Sequence, residues 1–107
     1  METKGDHNTV KLLLTYDPRP EHREEYFRFV MGEFVPALEQ LGLTMCEAWH
    51  TAYGDYPLRL TGFLAENMEA MQGALASDAF QKLEVRLLTF VENYRRRVVH
   101  AGQRFQF

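Results

Sequence analysis

Acidic, basic and imidazole side chains on two consecutive predicted strands are the best candidates for chemistry in this sequence. Glu47 and His50 lie in the first of these strands and Arg59 lies in the second. An imidazole titrates near neutral pH and can act as an acid, a base or a metal ligand. A carboxylate that is isolated in a closed site can have a raised pKa and serve as a base, and an arginine can hold a carboxylate through two parallel hydrogen bonds. His50 and Glu47 are therefore the catalytic candidates, and Arg59 is a ligand-binding candidate.

These three residues also have structural explanations that need no ligand. His50 could be hydrogen-bonded beneath a helix. Glu47 and Arg59 lie on neighbouring strands of one predicted hairpin, so they could form a cross-strand or cross-dimer ion pair. Both interpretations stay open on the sequence alone.

Aromatic residues around this hairpin extend the candidate ligand-binding set. Trp49 and Phe63 could hold an apolar ring, or they could fill a dimer interface, where aromatic side chains supply large contact area. Tyr53 and Tyr56 flank a predicted turn. They could line the mouth of a cavity or simply pack against the turn.

The sequence contains no motif that fixes a reaction. The four histidines, His7, His22, His50 and His100, have no close metal-ligand spacing. There is no glycine loop of the kind that cradles phosphate and no nucleophile elbow. The sequence therefore predicts neither a metal site nor a cofactor.

Composition indicates one small soluble domain. The chain has 107 residues, with 12 basic and 15 acidic side chains, so it has no general attraction to nucleic acid. Its one basic run, Arg95-Arg96-Arg97, is interpreted as the end of a helix, with a phosphate or nucleic-acid site as the alternative. No apolar run approaches the roughly 20 residues that span a bilayer. A single cysteine, Cys46, excludes an intramolecular disulfide and favours a reducing, cytoplasmic location.

Hydrophobic periodicity predicts the order strand, helix, strand, strand, helix, strand. The predicted strands are residues 10–16, 44–53, 58–65 and 97–100, and the predicted helices are residues 21–41, 66–76 and 78–94. Pro36 should interrupt the first helix, and Gly42 should cap it. Residues 1–8 read as a flexible leader and 9–107 as a single domain. This order is the split βαβ, or ferredoxin-like, arrangement of an α+β protein with an antiparallel sheet.

Helices cover one face of such a sheet, so strand alternation predicts which residues lie beneath them. The predicted helix-side set is Val10, Leu12, Leu14, Cys46, Ala48, Leu58, Leu60 and Leu64. The predicted open-face set is Lys11, Leu13, Thr15, Glu47, Trp49, Thr51, Arg59, Thr61 and Phe63. A slip of one residue would exchange the faces. An open face with apolar side chains usually marks an interface, so the sequence predicts that a second copy packs against it.

Three short segments resemble a known family. They are Phe34-Val35-Pro36-Ala37-Leu38, Ala48-Trp49-His50-Thr51 followed by Gly54, and Leu75-Ala76-Ser77-Asp78-Ala79-Phe80. Together with the order of elements, they resemble dimeric α+β-barrel proteins, most closely the NIPSNAP-like branch, over residues 9–100. The resemblance implies a homodimer whose two sheets close into a barrel with a central cavity. It does not imply one reaction, because members of this superfamily differ in activity.

Two functions are consistent with these observations. The first is a homodimeric binding or accessory protein, with a small hydrophobic or aromatic ligand held in the barrel by Trp49, Arg59, Phe63 and Tyr53. The alternative is a cofactor-independent monooxygenase or isomerase, of the antibiotic-biosynthesis-monooxygenase type, that uses His50 or Glu47. Neither function predicts a nucleic-acid or membrane partner.

Overall fold

Four antiparallel strands form one sheet in the computed structural model. They are β1 (Val10–Pro18), β2 (Thr44–Tyr53), β3 (Tyr56–Ala65) and β4 (Val91–His100), in the spatial order β2-β3-β1-β4. The structure describes residues 8–53 and 56–100, and of residues 49–58 it describes no side chain. The predicted leader therefore lies almost wholly outside the described residues, as does the segment 101–107. The α+β fold with an antiparallel, ferredoxin-like sheet is confirmed.

The first helical run covers residues 20–40 and changes its hydrogen-bonding pattern before Pro36. A 3₁₀ turn (Pro20–His22) leads into α1 (Arg23–Phe29), a π-helical turn (Val30–Phe34) and α2 (Val35–Gln40). The backbone N–H of Val35 donates to the carbonyl of Val30, which closes the wider turn. Proline has no N–H and its ring crowds the carbonyl four residues earlier, so the interruption predicted at Pro36 is accommodated as a π turn.

Gly42 ends this run as predicted. Its φ of 89° lies in the left-handed region, which favours glycine. The N–H of Gly42 donates to the carbonyl of Glu39 at 3.0 Å, and the N–H of Leu43 donates to that of Leu38 at 2.9 Å. These two bonds form a Schellman cap, which aims the chain into β2.

Helices α3 (Met68–Ala76) and α4 (Asp78–Leu88) cover the rest of the same sheet face. The last predicted helix is too long, because α4 ends at Leu88 and the chain continues as β4 from Val91. Val91 and Tyr94 fit the apolar stripe of α4 by spacing, but they belong to a strand that pairs with β1. Arg95-Arg96-Arg97 therefore lies within a strand, and its interpretation as a helix end is wrong.

The face prediction for β3 is wrong by one residue. Val10, Leu12 and Leu14 are buried beneath the helices as predicted. Their direct partners on β3 are Ala65, Phe63 and Thr61, and Tyr16 pairs with Arg59. Because directly paired residues share a face, Arg59, Thr61 and Phe63 belong to the helix side, and Leu60 and Leu64 belong to the open face. Apolar residues occur on both faces of β3, so only its pairing with β1 decides between them.

A bulge on β2 explains one further difference. The register between β2 and β3 shifts between Met45 and Glu47. Cys46 lies at this shift and is exposed, not buried beneath the helices as predicted. After the bulge Glu47 pairs with Gly62, so its predicted place on the open face is confirmed.

Candidate functional site

Two buried tyrosines form the centre of a polar cluster between the sheet and α1. Tyr16 of β1 and Tyr26 of α1 are 1% and 2% exposed, and their hydroxyl oxygens are 2.8 Å apart. Burial is the main cause that raises the pKa of both phenols, and in Tyr16 the neighbouring Tyr26 raises it further. Both phenols are therefore neutral at physiological pH. One donates its proton within the pair, which leaves the other O–H available as a donor.

Arg59 of β3 lies beside this pair without an ionic partner among the described residues. It is paired in register with Tyr16, and its guanidinium carbon lies 5.6 Å from the ring centroid of Tyr26 and 5.9 Å from that of Phe27. These distances allow cation–π attraction. Its Nε atom is buried and has no hydrogen-bond partner in the described structure. A buried donor without a partner is costly in a folded protein, so this guanidinium is suited to an anion.

Thr61 adds a buried hydroxyl to the cluster, and its neighbour on β2 is exposed. The Thr61 Oγ1 atom is buried and makes no hydrogen bond of good geometry with a described residue, but it lies close enough to the Tyr16 hydroxyl to act against the rise in that phenol's pKa. Its register partner on β2 is Ala48, which is exposed although it occupies a helix-side position. Ala48 is therefore not covered by a described helix.

The chemistry available in the cluster is recognition of an oxyanion that carries an apolar body. We call the cluster, formed by Tyr16, Tyr26, Phe27, Arg59 and Thr61, the Arg59 site. It offers one cation, hydroxyl donors and the faces of aromatic rings, and none of these members carries an acidic side chain. Polar groups of these kinds orient the ligand in small-molecule binding sites.

The sequence candidates are divided between the two faces of the sheet. The register pairs His50 with Arg59 and Trp49 with Leu60, but the side chains of Trp49, His50 and Tyr53 lie outside the described part. Their roles as catalytic or ligand-binding residues stay predictions.

Glu47 lies on the open face and is engaged by a different residue from the one expected. Lys11 Nζ donates to Glu47 Oε1 at 2.6 Å, and this hydrogen bond is the main cause that raises the pKa of Lys11. The Glu47 side chain lies over Gly62, where a Cβ atom would come within 2.9 Å of Glu47 Cγ. A cross-strand ion pair between Glu47 and Arg59 is wrong, because the two residues occupy opposite faces of one sheet; a cross-dimer pair stays a prediction.

Phe63 belongs to the core. It is fully buried, and its ring meets that of Phe34 edge-on with centroids 6.1 Å apart. Its predicted position on the open face is therefore wrong.

Sequence reasoning missed Tyr16, Tyr26 and Thr61 as members of a site. Each tyrosine fits an apolar periodicity by spacing, Tyr16 in β1 and Tyr26 in the first helix. The available signal was the hydroxyl at the end of each aromatic ring, because a buried tyrosine usually has a hydrogen-bond partner. Only the register of β3 brings Arg59 to them.

Neither a metal centre nor a membrane-spanning helix is found in the described residues. No three histidine, cysteine, aspartate or glutamate side chains there are arranged to hold a metal ion. None of the helices described there is long and apolar enough to cross a bilayer.

Solved structures of the same fold include several NIPSNAP proteins. A NIPSNAP family protein from Agrobacterium tumefaciens is 14% identical, with a TM-score of 0.68 over 88% of this chain and 86% of that one. A NIPSNAP-like domain protein from Burkholderia xenovorans is 14% identical, with a TM-score of 0.63 over 87% and 84%. A Bacteroides thetaiotaomicron protein of unknown function, described as a possible oxidoreductase, is 10% identical, with a TM-score of 0.65 over 86% and 96%. No family signature and no curated protein matches the sequence. The resemblance expected from the sequence is thus confirmed at the level of architecture: the chain has the ferredoxin-like fold of NIPSNAP proteins.

Proposed function

We propose that this protein binds a small aromatic or hydrophobic carboxylic acid at the Arg59 site. One observation carries the proposal: Arg59 Nε is buried and has no hydrogen-bond partner among the described residues, while the guanidinium lies near the rings of Tyr26 and Phe27. A carboxylate would accept two hydrogen bonds from the guanidinium fork. The ligand's apolar body would lie near the rings of Tyr26 and Phe27.

The ligand would lie between the sheet and α1. The sequence predicted a ligand inside the barrel, and the helix-side position of Arg59 argues for the other side of the sheet. Thr61 Oγ1 supports this location, because it is a buried hydroxyl beside the Tyr16 hydroxyl that could also donate to a carboxylate.

Binding is favoured over acid–base catalysis by the protonation state of the site. The pKa of each phenol is raised by burial, so Tyr16 and Tyr26 hold their protons and donate hydrogen bonds. Neither can act as a base near neutral pH.

Calorimetric titration with benzoate and with benzamide tests this proposal. The two probes have similar shapes, but only benzoate is charged. Benzoate should bind more tightly, and Arg59→Met should remove the difference, because a hydrogen bond to a charged group contributes about 1.5–3 kcal/mol. Arg23→Met, which removes an exposed arginine of α1, is the matched control and should leave the affinity unchanged.

Two results would contradict the proposal. One is equal affinity of the wild type for benzoate and benzamide. The other is benzoate affinity that survives in Arg59→Met. The Arg59→Met variant should still fold, because the substitution removes a buried donor that has no partner and keeps most of the apolar stem. A loss of binding can therefore be assigned to the missing guanidinium.

We also propose that the protein is a homodimer that packs through the open faces of its sheets. Leu13, Leu60, Leu64 and Val99 lie on this face and are half-buried in the single chain. The described helices all lie on the other side. A second copy would remove these apolar side chains from water, which favours association.

Light scattering at micromolar concentration tests the dimer. Leu13→Glu places a charge in the proposed interface and should give a monomeric mass. Val85→Glu is the matched control, because Val85 is 63% exposed on α4, and it should stay dimeric. A wild type that is monomeric, or a Leu13→Glu variant that stays dimeric, would refute this interface.

A cytoplasmic location is the last part of the proposal. It is supported by the single free cysteine, Cys46, whose thiol is exposed. Reducing compartments keep such a thiol from oxidising. Cell fractionation with an antibody to the native protein tests it, and recovery from an oxidising compartment would contradict it.

A further inference from the structure

A concave groove on the open face of the sheet is lined by arginines and leucines. It encloses about 570 Å³ and is lined by Leu13, Thr15, Leu60, Arg95, Arg96 and Arg97. This volume lies within the range of small-molecule pockets. We call it the arginine groove. It lies across the sheet from the Arg59 site, so the two are separate.

Strand register explains why two of the three arginines converge there. Arg95 pairs with Thr15 and Arg97 pairs with Leu13, and both partners are open-face residues of β1. Arg96 pairs with Leu14, which is buried on the helix side. The Arg96 guanidinium accordingly lies 3.0 Å from Glu84 and over the ring of Phe80.

Arg95 and Arg97 have no ion pair or side-chain hydrogen bond among the described residues, and none of the described residues that line the groove is acidic. The carboxylates on the neighbouring strands are engaged elsewhere. Lys11 holds Glu47, Arg19 reaches Glu92 at 3.4 Å, and Asn93 donates to Asp17 at 2.8 Å. Two guanidinium groups are therefore left facing an apolar floor.

We propose that the arginine groove binds an organic phosphate monoester. Such a phosphate carries nearly two negative charges at neutral pH and offers three acceptor oxygens, which matches two guanidinium groups in charge and in hydrogen bonding. Its organic part would lie against Leu13 and Leu60. A bare inorganic phosphate would leave this floor and most of the groove's volume unused.

The groove also bears on the proposed homodimer, and this step rests on that proposal. Packing two identical open faces together brings four arginines, two from each copy, into one interface. Like charges in an interface are unfavourable. A bound phosphate monoester in each groove would neutralise them, so the ligand should strengthen the dimer.

Calorimetric titration with phenyl phosphate and with inorganic phosphate tests the groove. We expect phenyl phosphate to bind about tenfold more tightly than inorganic phosphate, because of the apolar floor. The double substitution Arg95→Gln with Arg97→Gln should weaken phenyl phosphate binding by about twentyfold or more. Arg28→Gln removes the same charge from an exposed position of α1, on the other side of the sheet, and it should change the affinity by less than about threefold.

Three results would overturn the groove proposal. They are no binding of phenyl phosphate, equal affinity for the two phosphates, and binding that survives in the double variant. A ten-residue oligothymidylate is the remaining probe. If it binds through Arg95 and Arg97 more tightly than phenyl phosphate does, the groove is a nucleic-acid site and the proposal is wrong.

Sedimentation velocity separates this proposal from the homodimer. Phenyl phosphate should shift wild-type protein toward the dimer and should not shift the double variant. Protein that sediments as a monomer with and without the probe, but still binds it through Arg95 and Arg97, would refute the dimer and leave the groove supported. A stable dimer with no phosphate binding would refute the groove alone.

Discussion

Replacing Tyr26 by phenylalanine should reduce the loss of stability that this protein undergoes at alkaline pH. Tyr16 and Tyr26 are buried, and their pKa values are raised above the ordinary value of 10.0. Below pH 10 tyrosine is neutral in both the folded and the unfolded chain. The two tyrosines therefore make their full contribution to the free energy of unfolding there. Above pH 10 the unfolded chain releases protons that the folded chain retains, so the free energy of unfolding falls.

The magnitude follows from this linkage. At pH 11 a tyrosine that ionises only in the unfolded chain lowers the free energy of unfolding by about 1.4 kcal/mol relative to pH 8. The pair therefore lowers it by up to about 2.8 kcal/mol. At pH 8 the Tyr26→Phe variant should be about 1–3 kcal/mol less stable than wild type, because the Tyr16 hydroxyl loses its 2.8 Å partner.

Urea unfolding followed by circular dichroism, at pH 8 and pH 11, measures both effects. We expect the gap between wild type and Tyr26→Phe to shrink by up to about 1.4 kcal/mol on going to pH 11, because the variant has one fewer proton to release. Lysines also titrate in this pH range, but they affect the free energy of unfolding of both proteins equally. Their effect therefore cancels in the comparison. A gap that stays constant or widens would refute the reasoning.

Three further substitutions test other contacts. Glu47→Gln should lower the pKa of Lys11, measured by NMR titration, because the Glu47 hydrogen bond raises it; an unchanged pKa would mean that the 2.6 Å contact is absent in solution. Gly42→Ala should cost about 1–2 kcal/mol of unfolding free energy, because φ is 89° there, and equal stability in urea would contradict the cap. Asn67→Ala should cost about 1 kcal/mol, because the Asn67 side chain accepts from the N–H of Ala70 at 2.8 Å; an unaltered urea midpoint would exclude that role.

Sequence periodicity predicted most elements because local rules decide them. Strand β2 has its predicted bounds, Thr44–Tyr53, and Gly42 caps the first helical run as expected. The predicted boundary between α4 and β4 was wrong, because Val91 and Tyr94 have the spacing of an apolar helical stripe. Pairing with β1 places them in a strand. Such non-local pairing leaves no signal in a local window.

The candidate site was predicted only in part, for the same physical reason. Arg59 was identified by its chemistry, but its face depends on the register of β3, and both faces of that strand carry apolar residues. The sequence predicted Arg59 on the open face, inside a barrel. The register of β3 places it on the opposite face, beside the tyrosine pair. The hydrogen bond between Tyr16 and Tyr26 joins a strand to a helix, so no spacing rule could reveal it.

A crystal structure of the protein soaked with 4-bromobenzoate tests the central claim most directly. Anomalous scattering locates the bromine independently of the protein's own density. The account predicts a bromine peak between the sheet and α1, with the carboxylate at the guanidinium of Arg59. A peak only in the arginine groove, or no peak at a concentration that saturates binding in solution, would contradict it.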